Sequence, residues 1–295
     1  MTILITGAAG FVGRHLKEQL MADYPESNIA TISSFPSKNP LEIVRSGGEI
    51  KVTKSNQEIL DGVKCVIHLG SYTPKNQSEI NEFGLALESI NFTSKLLGLS
   101  LPNVQRMIYS STMDVYSKTE KAISELSETS NSNSYTMMKL FTESMIHHHC
   151  NINKISLKTL RIGHLYGLGD EVYDKIIPKL LSSVLNKQNN EMNLSLDQIL
   201  NLMYVKDAAR IISELVAKSD LAGVSNLVSS KPTTIRELIQ IIEVTTGQKF
   251  IYKAQEIALK YRQLKFCVSN LVGEVDYRET PLEEGLAEMY TTERS

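Results

Sequence analysis

The first thirteen residues carry the feature that most constrains the fold, an apolar run followed at once by three glycines. Residues 2–6 are β-branched or apolar, and Gly7, Gly10 and Gly13 follow in GxxGxxG spacing before apolar residues at helical intervals. This order predicts a strand, a tight turn and a helix. Because glycines there let backbone N–H groups approach a pyrophosphate at the positive end of the helix, we expect a dinucleotide-binding βαβ start.

Apolar strands and helical stretches alternate along most of the chain. Strands are predicted at 29–33, 65–69, 107–110 and 159–162, and helices at 86–99, 136–149 and 173–186. Residues 201–218 predict a strand that runs into another helix, and a Thr-x-x-Glu capping box at 234–237 predicts a further helix start. Such alternation is typical of an α/β protein with a Rossmann-type, doubly wound parallel sheet.

The pattern also predicts a division of the chain into two parts. We expect residues 1–168 to form a dinucleotide-binding Rossmann domain, to which residues 196–220 return. Residues 169–195 and 221–295 are then expected to form a smaller, mixed C-terminal lobe that binds the substrate.

The composition argues against several classes of partner and site. Lys and Arg number 31 against 33 Asp and Glu, so no basic excess attracts nucleic acid. No apolar run reaches the roughly 20 residues that span a bilayer, and the N-terminus lacks a signal-peptide pattern, so we expect a cytoplasmic protein without membrane contact. The cysteines form no CxxC pair, and the side chains of His147 to Cys150 diverge around a helix. No metal site is therefore expected.

Tyr135 and Lys139 are the clearest candidates for catalysis. They are four residues apart in a predicted helix, so the phenol and the ammonium face the same side. A nearby cation lowers the pKa of a tyrosine toward neutrality, which suits proton transfer to or from a substrate oxygen. This spacing is also common in surface pairs. Ser110, Ser111 and Thr112, however, end a buried strand, and strand carboxyl ends are where α/β sheets bind ligands.

Several motifs appear in an order that resembles a known family, the extended short-chain dehydrogenase/reductases. They are TGAAGFVG at 6–13, VIHLG at 66–70, Asn91 before a helix, SSTMDVY at 110–116 and YTMMK at 135–139. RIGHLYGLGD at 161–170, MYVKDAAR at 203–210 and PLEEGL at 281–286 continue the match. The resemblance is closest to the nucleotide-sugar epimerase/dehydratase branch and covers most of the chain.

The resemblance implies a role for each member of the catalytic group. Tyr135 would be the acid or base, Lys139 would hold the nicotinamide ribose and tune the tyrosine, and Thr112 would bind the substrate oxygen. Ser110 and Ser111 are alternatives for the last role. The cofactor-binding residues implied in this way are Gly7, Ala9, Gly10, Phe11, Val12, Gly13, Arg14, Ser33, Ser34, Lys38, Leu69, Gly70, Ser71, Asn91, Ser110, Tyr135 and Lys139. The substrate-binding residues are Thr73, Ser111, Thr112, Met113, Tyr135, His164 and Arg262.

Two departures from the pattern bear on the substrate. The family often has Asn where this chain has His164, and it has a diphosphate-binding Arg near the position of Leu200. Arg262 is a candidate to replace that arginine, because guanidinium groups suit phosphate oxygens. Family members also often dimerise through the helices that carry Asn91 and Tyr135. A homodimer is therefore implied, with apolar candidates Leu96, Leu97, Leu99, Met137, Met138 and Leu140.

The residues after Thr112 reduce the number of reactions that the resemblance allows. Dehydratases of this branch carry an Asp-Glu pair there, because elimination of water needs an acid and a base. This chain has Met113 and Asp114, and a methionine cannot donate a proton. Ketoreductases and epimerases remain.

The second predicted strand indicates the cofactor. NAD sites of this fold hold the adenosine ribose with an acid at that strand end, but residues 29–34 contain none. Ser33 and Ser34, with Arg14 and Lys38, favour the 2′-phosphate of NADP(H), and NAD(H) is the alternative. With this cofactor, the resemblance to reductases of the family implies, as the first expectation, NADPH-dependent reduction of a 4-keto group on a nucleoside-diphosphate-linked 6-deoxy sugar, in deoxysugar or surface-polysaccharide biosynthesis. The alternatives are an NAD-retaining nucleotide-sugar 4-epimerase, a reductase of a non-sugar ketone and a non-catalytic dinucleotide-binding protein.

Overall fold

Strands and helices alternate in the computed structural model, which describes residues 1–34, 41–46, 48–117, 119, 121–185, 192–255 and 265–294. The strands are β1 Thr2–Thr6, β2 Asn28–Ser33, β3 Glu42–Ser46, β4 Glu49–Ile50, β5 Val63–His68, β6 Arg106–Thr112, β7 Ser156–Ile162, β8 His164–Tyr166, β9 Met192–Leu194, β10 Ile199–Leu200, β11 Leu202–Tyr204, β12 Val224–Leu227, β13 Thr233–Thr234 and β14 Tyr252–Ala254. The helices are α1 Phe11–Asp23, α2 Lys54–Asp61, α3 Phe83–Leu97, α4 Ser134–Asn153, α5 Ile176–Leu185, α6 Val205–Val216, α7 Ile235–Thr246, α8 Ser269–Val272 and α9 Leu282–Arg294, with 3₁₀ turns at Gln77–Asn81 and Met113–Val115.

Within the described residues, eight strands form one large sheet in the order β12-β7-β6-β5-β1-β2-β3-β4. All neighbouring pairs are parallel except β3 and β4. The chain moves from β1 to β2 in one direction and later to β5 in the other, so the strand order reverses at β1. Ligands of doubly wound sheets bind beyond the strand ends at such a reversal. The α/β Rossmann-type fold predicted from the sequence is confirmed.

Side chains at alternate positions of the buried strands contribute to two apolar clusters, one on each face of the sheet. Successive residues of a strand point to opposite faces, so Ile3 and Ile5 of β1 join the cluster that includes residues of α1 and α6. Leu4 between them joins the cluster that includes residues of α3 and α4. Helices thus cover both faces, which is why β1 is apolar at every position except its two end threonines.

The sheet extends beyond the boundary predicted from the sequence. Residues 221–295 were expected to lie in the smaller lobe, but Val224–Leu227 pair with β7 in the large sheet. This strand was missed because Ser225 and Asn226, both fully buried, interrupt its apolar pattern. Asn226 accepts from the Tyr116 hydroxyl at 2.6 Å and donates to the Cys267 carbonyl at 3.0 Å, so its burial is compensated. By contrast, β11 pairs with β8 in a separate two-stranded sheet.

The predicted helices occur, with shifted ends. The capping box before α7 is present, since the Thr234 hydroxyl accepts from the Glu237 N–H and the Glu237 carboxylate accepts from the Thr234 N–H. The helix predicted from residue 173 begins at Ile176 instead. The β3 strand was not predicted, because Glu42 and Arg45 interrupt any apolar run there.

None of the helices in the described part of the chain has both the length and the hydrophobicity needed to cross a membrane. The described residues also include no group of three or more His, Cys, Asp or Glu side chains placed to bind a metal ion. His147 and His148 are exposed within α4, and His149 is half-buried.

Candidate active site

The glycine turn between β1 and α1 leaves no room for side chains. Gly7 has φ 73°, and a Cβ on Gly13 would lie 2.0 Å from the Gly7 carbonyl oxygen. Gly10 caps α1 without a side-chain hydrogen bond, and the first turn of this helix contains no acidic residue. The amide groups at its positive end therefore suit a phosphate group, and the turn fits the pyrophosphate of a dinucleotide.

A cavity of about 460 Å³ lies beyond the carboxyl ends of the central strands. It brings together residues from the glycine turn, from the loop after β5, from the end of β6 and from the start of α4. The sequence-predicted residues that line it are Gly7, Gly10, Phe11, Val12, Gly13, Leu69, Gly70, Ser71, Thr73, Ser110, Ser111, Thr112, Tyr135, Lys139 and His164. We refer to it as the main cavity.

Tyr135 and Lys139 are held by the first turns of α4. The Asn133 side chain accepts from the Thr136 N–H at 2.9 Å and fixes the helix start. Lys139 is buried, and its Nζ donates to the Ser71 hydroxyl and to the Ser110 carbonyl, both at 2.9 Å. The ammonium lies 5.8 Å from the centre of the Tyr135 ring. The predicted tyrosine and lysine therefore share one site.

The pKa of Tyr135 differs from the sequence-based expectation. Burial raises this pKa, the Asp114 carboxylate raises it further, and the Thr112 and Thr73 hydroxyls lower it. The expected lowering toward neutrality is thus wrong for this structure, because loss of hydration of the phenolate outweighs the other contributions. Burial also lowers the pKa of Lys139 to about 7, which Glu143 opposes. Tyr135 is a protonated phenol here.

Glu143 continues the polar face of Tyr135 and Lys139 along α4, and neither Glu143 nor its partner Arg161 on β7 was predicted from the sequence. Glu143 follows Lys139 by four residues, and the Arg161 guanidinium binds it through two bonds of 3.1 and 2.9 Å. Both side chains are largely buried. The sequence does place Glu143 on the same helix face as Tyr135 and Lys139, because the three residues are four apart. Its partner Arg161, however, is distant in sequence, so the ion pair could not be predicted.

A buried histidine joins the glycine turn to the loop after β5, and it was also missed. His68 Nδ1 lies 2.6 Å from the Thr6 hydroxyl, and its Nε2 lies 2.9 Å from the Thr93 hydroxyl. Thr93 donates to the Ser89 carbonyl, so it accepts from His68 Nε2, and Thr6 then donates to Nδ1. Thr6 in turn accepts from the Gly70 N–H. Burial lowers the pKa of His68 to about 3, which keeps the ring neutral.

Asp114, His164 and Lys175 also line the main cavity. Asp114 is exposed and accepts from the Thr112 hydroxyl at 3.2 Å. Loss of hydration lowers the pKa of His164 and Lys175 lowers it further, whereas the Asp114 carboxylate opposes this. Lys175 was not predicted as a site residue. Met113, predicted to bind the substrate, does not line the cavity, because its side chain is buried in a cluster with Tyr116, Ile123 and Val228.

A second cavity of about 290 Å³ adjoins the glycine turn on the side of β2 and includes Ala9, Ser33 and Ser34. Arg45 of β3 also lines it, with its guanidinium 4.4 Å from the centre of the Phe92 ring. Arg45 was missed because β3 was not predicted. We refer to this space as the adenosine-side cavity, after its position beside the predicted ribose-binding strand end.

Several residues that were predicted to bind the cofactor or the substrate do not lie at these cavities or are outside the described part of the chain. Arg14 turns away from Ser33 and Ser34 to reach the Gly169 carbonyl at 3.5 Å, because a helix rotates about 100° per residue beyond Gly10. Asn91 is exposed inside α3, rather than before a helix, and lines neither cavity. Leu200 is buried in β10. Lys38 and Arg262 fall outside the described residues.

The fold and the cavity define a class of protein, a Rossmann-type enzyme whose site suits a dinucleotide cofactor. Residues 3–227 match the NAD dependent epimerase/dehydratase family, and the chain belongs to this family. The resemblance to extended short-chain dehydrogenase/reductases is thereby confirmed.

Individual relatives are distant. The chain is 25% identical over 265 residues to a protein of Bacillus subtilis (strain 168) named uncharacterized UDP-glucose epimerase YtcB, covering 84% of this chain and 83% of that one. It is 23% identical to dTDP-D-glucose 4,6-dehydratase of Homo sapiens, over 83% and 75% of the two chains. It shares its fold with UDP-glucuronic acid 4-epimerase from Bacillus cereus in complex with UDP-glucuronic acid and NAD, with a TM-score of 0.78 and 20% sequence identity. That match covers 99% of this chain and 98% of the other.

Proposed function

We propose that the protein is a nucleotide-sugar 4-epimerase that retains its nicotinamide cofactor. The observation that carries this proposal is the convergence of Thr112, Tyr135 and Lys139 on the cavity that begins at the glycine turn. Relatives and structural neighbours named as UDP-sugar epimerases favour this reaction over the ketoreduction first expected from the sequence. Supporting it further, Met113 is buried in a separate cluster, so Asp114 stands beside Thr112 without the second carboxyl of the Asp-Glu pair that assists loss of water in dehydratases of this branch.

Tyr135, Thr112 and Lys139 have different roles in the proposed proton transfer. A nicotinamide dinucleotide, when bound, supplies the hydride acceptor and donor. Tyr135 first releases its own proton to solvent, and the resulting phenolate takes the proton of the sugar hydroxyl at carbon 4 and later returns it. Thr112 donates a hydrogen bond to the same oxygen once its own bond to Asp114 is released. Lys139, fixed by Ser71 and the Ser110 carbonyl, places a positive charge beside the phenolate that forms.

The proposal is tested by following UDP-glucose and UDP-glucuronic acid separately with the purified protein by proton NMR. We expect the carbon-4 epimer of at least one to accumulate without net consumption of cofactor. A Tyr135→Phe variant should slow this by about 100-fold or more, because a positioned acid-base group contributes that much. Absence of any epimer with both sugars, while added NADPH is consumed by a 4-keto sugar nucleotide, would replace the proposal by ketoreduction.

Ketoreduction stays a second candidate because of the adenosine-side cavity. Ser33, Ser34 and Arg45 line it, and β2 ends without an acid, which suits the 2′-phosphate of NADP(H). Structural neighbours are described with NAD, which favours the other cofactor. Fluorescence titration with NADPH and NADH distinguishes them. If Arg45 binds the 2′-phosphate, Arg45→Gln weakens NADPH binding by about 10-fold and leaves NADH binding unchanged, whereas the exposed control Arg236→Gln changes neither.

We also propose a homodimer through α3 and α4. Phe83 and Leu87 are exposed one turn apart on α3, and Met137 and Phe141 are exposed one turn apart on α4. Helices α3 and α4 pack together, so these side chains extend one apolar surface. Leu96 and Met138, named from the sequence, belong instead to the core. Light scattering should give a dimer for the natural chain and a monomer for Phe141→Asp.

A further inference from the structure

A segment between β8 and α5 runs along the start of α1. We refer to residues 167–174 as the strap, because they connect α1 with the loop after β5. His15 Nε2 donates to the Leu168 carbonyl at 2.9 Å, and Arg14 donates to the Gly169 carbonyl at 3.5 Å. A Cβ on Gly169 would lie 2.5 Å from the Arg14 guanidinium carbon, so the two segments are in close contact there. The beginning of the strap is thus attached to α1.

The strap then passes the positive end of α1. The ring centres of Tyr173 and Phe11 lie 6.2 Å apart, and Phe11 is the first residue of the helix. Strap residues therefore contact α1 in reverse order, from His15 back to Phe11. One residue further on, the Asp174 N–H donates to the Lys75 carbonyl at 2.7 Å. The end of the strap is thus attached to the loop after β5.

The loop after β5 is itself held in place. The Glu79 carboxylate accepts from the Lys75 N–H at 2.9 Å, and the Glu79 carbonyl accepts from the Tyr72 hydroxyl at 2.9 Å. The Asn76 side chain accepts from the Ser78 N–H at 3.0 Å and fixes the start of the 3₁₀ turn. The strap is therefore bonded at each end to a segment that has its own supports.

The two attachments of the strap differ in strength. His15, which holds the beginning of the strap, is buried, whereas Asp174 and Lys75 are both exposed. Water competes for an exposed backbone hydrogen bond, so the bond between Asp174 and Lys75 breaks at little cost and without unfolding. The strap can thus open at its Lys75 end while it stays attached to α1. Gly10, Lys75 and Asp174 all line the main cavity, so this opening widens the cavity.

We propose that the strap closes the main cavity over a bound dinucleotide, and that the bond between Asp174 and Lys75 must open before the dinucleotide enters or leaves. This inference rests on the proposed function for the retained cofactor. The glycine turn, which suits a pyrophosphate, lies at the end of α1 that the strap passes. A dinucleotide that extends from this turn into the main cavity has the strap across its exit. Opening of such a segment sets the rate of release in many enzymes.

Cross-linking the strap tests the proposal without turnover. Residues joined by a backbone hydrogen bond are close enough for a disulfide, so the test uses the double variant Lys75→Cys, Asp174→Cys. Cys65 and Cys150 are buried, and Cys267→Ser removes the half-exposed thiol. The protein is loaded with NADH or NADPH and oxidised, and release is followed by fluorescence after excess oxidised dinucleotide is added. We expect the disulfide to slow release by about 10-fold or more, and dithiothreitol to restore the faster rate.

The single variants are the matched controls. Lys75→Cys alone and Asp174→Cys alone should release the cofactor at the same rate before and after oxidation. The second also removes the ion pair between Asp174 and Lys179, so it accounts for the loss of that contact. Equal release from the oxidised and reduced double variant overturns the proposal. Failure of the two thiols to join, measured by thiol titration, also overturns it, as does absence of binding of both dinucleotides.

A glycine variant loosens the other attachment. In Gly169→Ala the new Cβ would collide with Arg14, and the φ of 96° strains any side chain at this position. We expect release to become about 10-fold faster. Gly223→Ala is the matched control, because Gly223 also has a positive φ, of 72°, but its Cβ would meet nothing within 4 Å. Equal release by the two alanine variants contradicts the attachment of the strap to α1.

The outcomes distinguish this inference from the proposed function. If the natural chain epimerises neither sugar, yet the disulfide slows release of a dinucleotide, the strap closes the cavity as proposed and the reaction proposed above fails. If the natural chain epimerises a sugar and the disulfide leaves release unchanged, the reaction stands and the role of the strap fails.

Discussion

The main cavity has two sides that we assign to the cofactor and to the substrate, and they differ in whether backbone or side chains form them. The cofactor side consists largely of backbone, from the glycine turn and from the loop that Thr6 and His68 hold through Gly70. The substrate side consists of side chains from separate segments, among them the charged Asp114 and Lys175 and the imidazole of His164. A backbone cradle tolerates almost no change, whereas side chains can be exchanged one at a time. Under the proposed function, the first side holds the cofactor and so fixes the type of chemistry, and the second side selects the substrate.

The largest effect should come from adding a single methyl group to the backbone side. In Gly13→Ala the new Cβ would lie 2.0 Å from the Gly7 carbonyl oxygen, so the turn must move. We expect kcat/KM to fall by about 100-fold, since displacements on the order of 1 Å have such effects. Gly84→Ala is the matched control, because its Cβ would meet nothing within 4 Å. Equal activity of the two variants would contradict a rigid backbone cradle.

A change beneath the catalytic pair should affect both stability and pH dependence. Glu143→Gln leaves Arg161 with a weaker partner, and we expect a loss of about 2 kcal/mol in the free energy of unfolding. The negative charge of Glu143 raises the pKa of Lys139, so its removal lowers that pKa below its value of about 7. Because Lys139 acts as a cation, the alkaline limb of kcat/KM should move to lower pH.

Urea unfolding and a pH profile of kcat/KM check these two effects. The matched control is Glu214→Gln, which removes a carboxylate from a similar arginine pair on α6, remote from the cavity. It should leave the alkaline limb unchanged. A limb that moves to higher pH in Glu143→Gln would refute the assigned electrostatic role.

A smaller effect is expected on the substrate side. Asp114→Asn removes the negative charge that raises the pKa of Tyr135, so that pKa should fall. When Tyr135 acts as the base, activity is lost as pH falls through its pKa. The acidic limb should therefore extend to lower pH in this variant. An unchanged limb, measured with the same substrate and saturating cofactor, would show that Asp114 does not act on Tyr135.

The smallest effect should come from a region outside both sides of the cavity. Thr234→Ala removes the hydroxyl that caps α7, and we expect a loss of about 1 kcal/mol in the free energy of unfolding. Activity at temperatures well below unfolding should remain that of the natural chain, and Thr234→Ser should restore the stability. A fall in activity without a fall in the free energy of unfolding would contradict this prediction, because it would mean that the start of α7 affects the active site directly.

The same contrast explains what the sequence could predict. Gly7, Gly10 and Gly13 stand close together in the chain, so their spacing alone indicated the turn and the strands around it. Tyr135 and Lys139 were predictable because helical spacing places them on one face. Features of this kind depend on local geometry.

The residues that were missed depend on contacts between distant segments. Arg45 lies on a strand without an apolar pattern, and Lys175 enters the cavity from a loop whose path the sequence does not specify. Arg161 meets Glu143 only because β7 runs beside α4. The prediction that Arg14 lies near Ser33 was wrong for a related reason, since the rotation of α1 directs its side chain to Gly169. Val224–Leu227 was hidden by its buried polar residues.

One isotope measurement tests the central claim, that hydride leaves and returns at carbon 4 while Tyr135 moves the proton. The protein is incubated with UDP-glucose or UDP-glucuronic acid carrying deuterium at carbon 4, and the product is examined by NMR. The account predicts a carbon-4 epimer that retains the deuterium, formed at least about 100-fold more slowly by Tyr135→Phe. An epimer that has exchanged its deuterium with solvent, or full turnover by Tyr135→Phe, would contradict it.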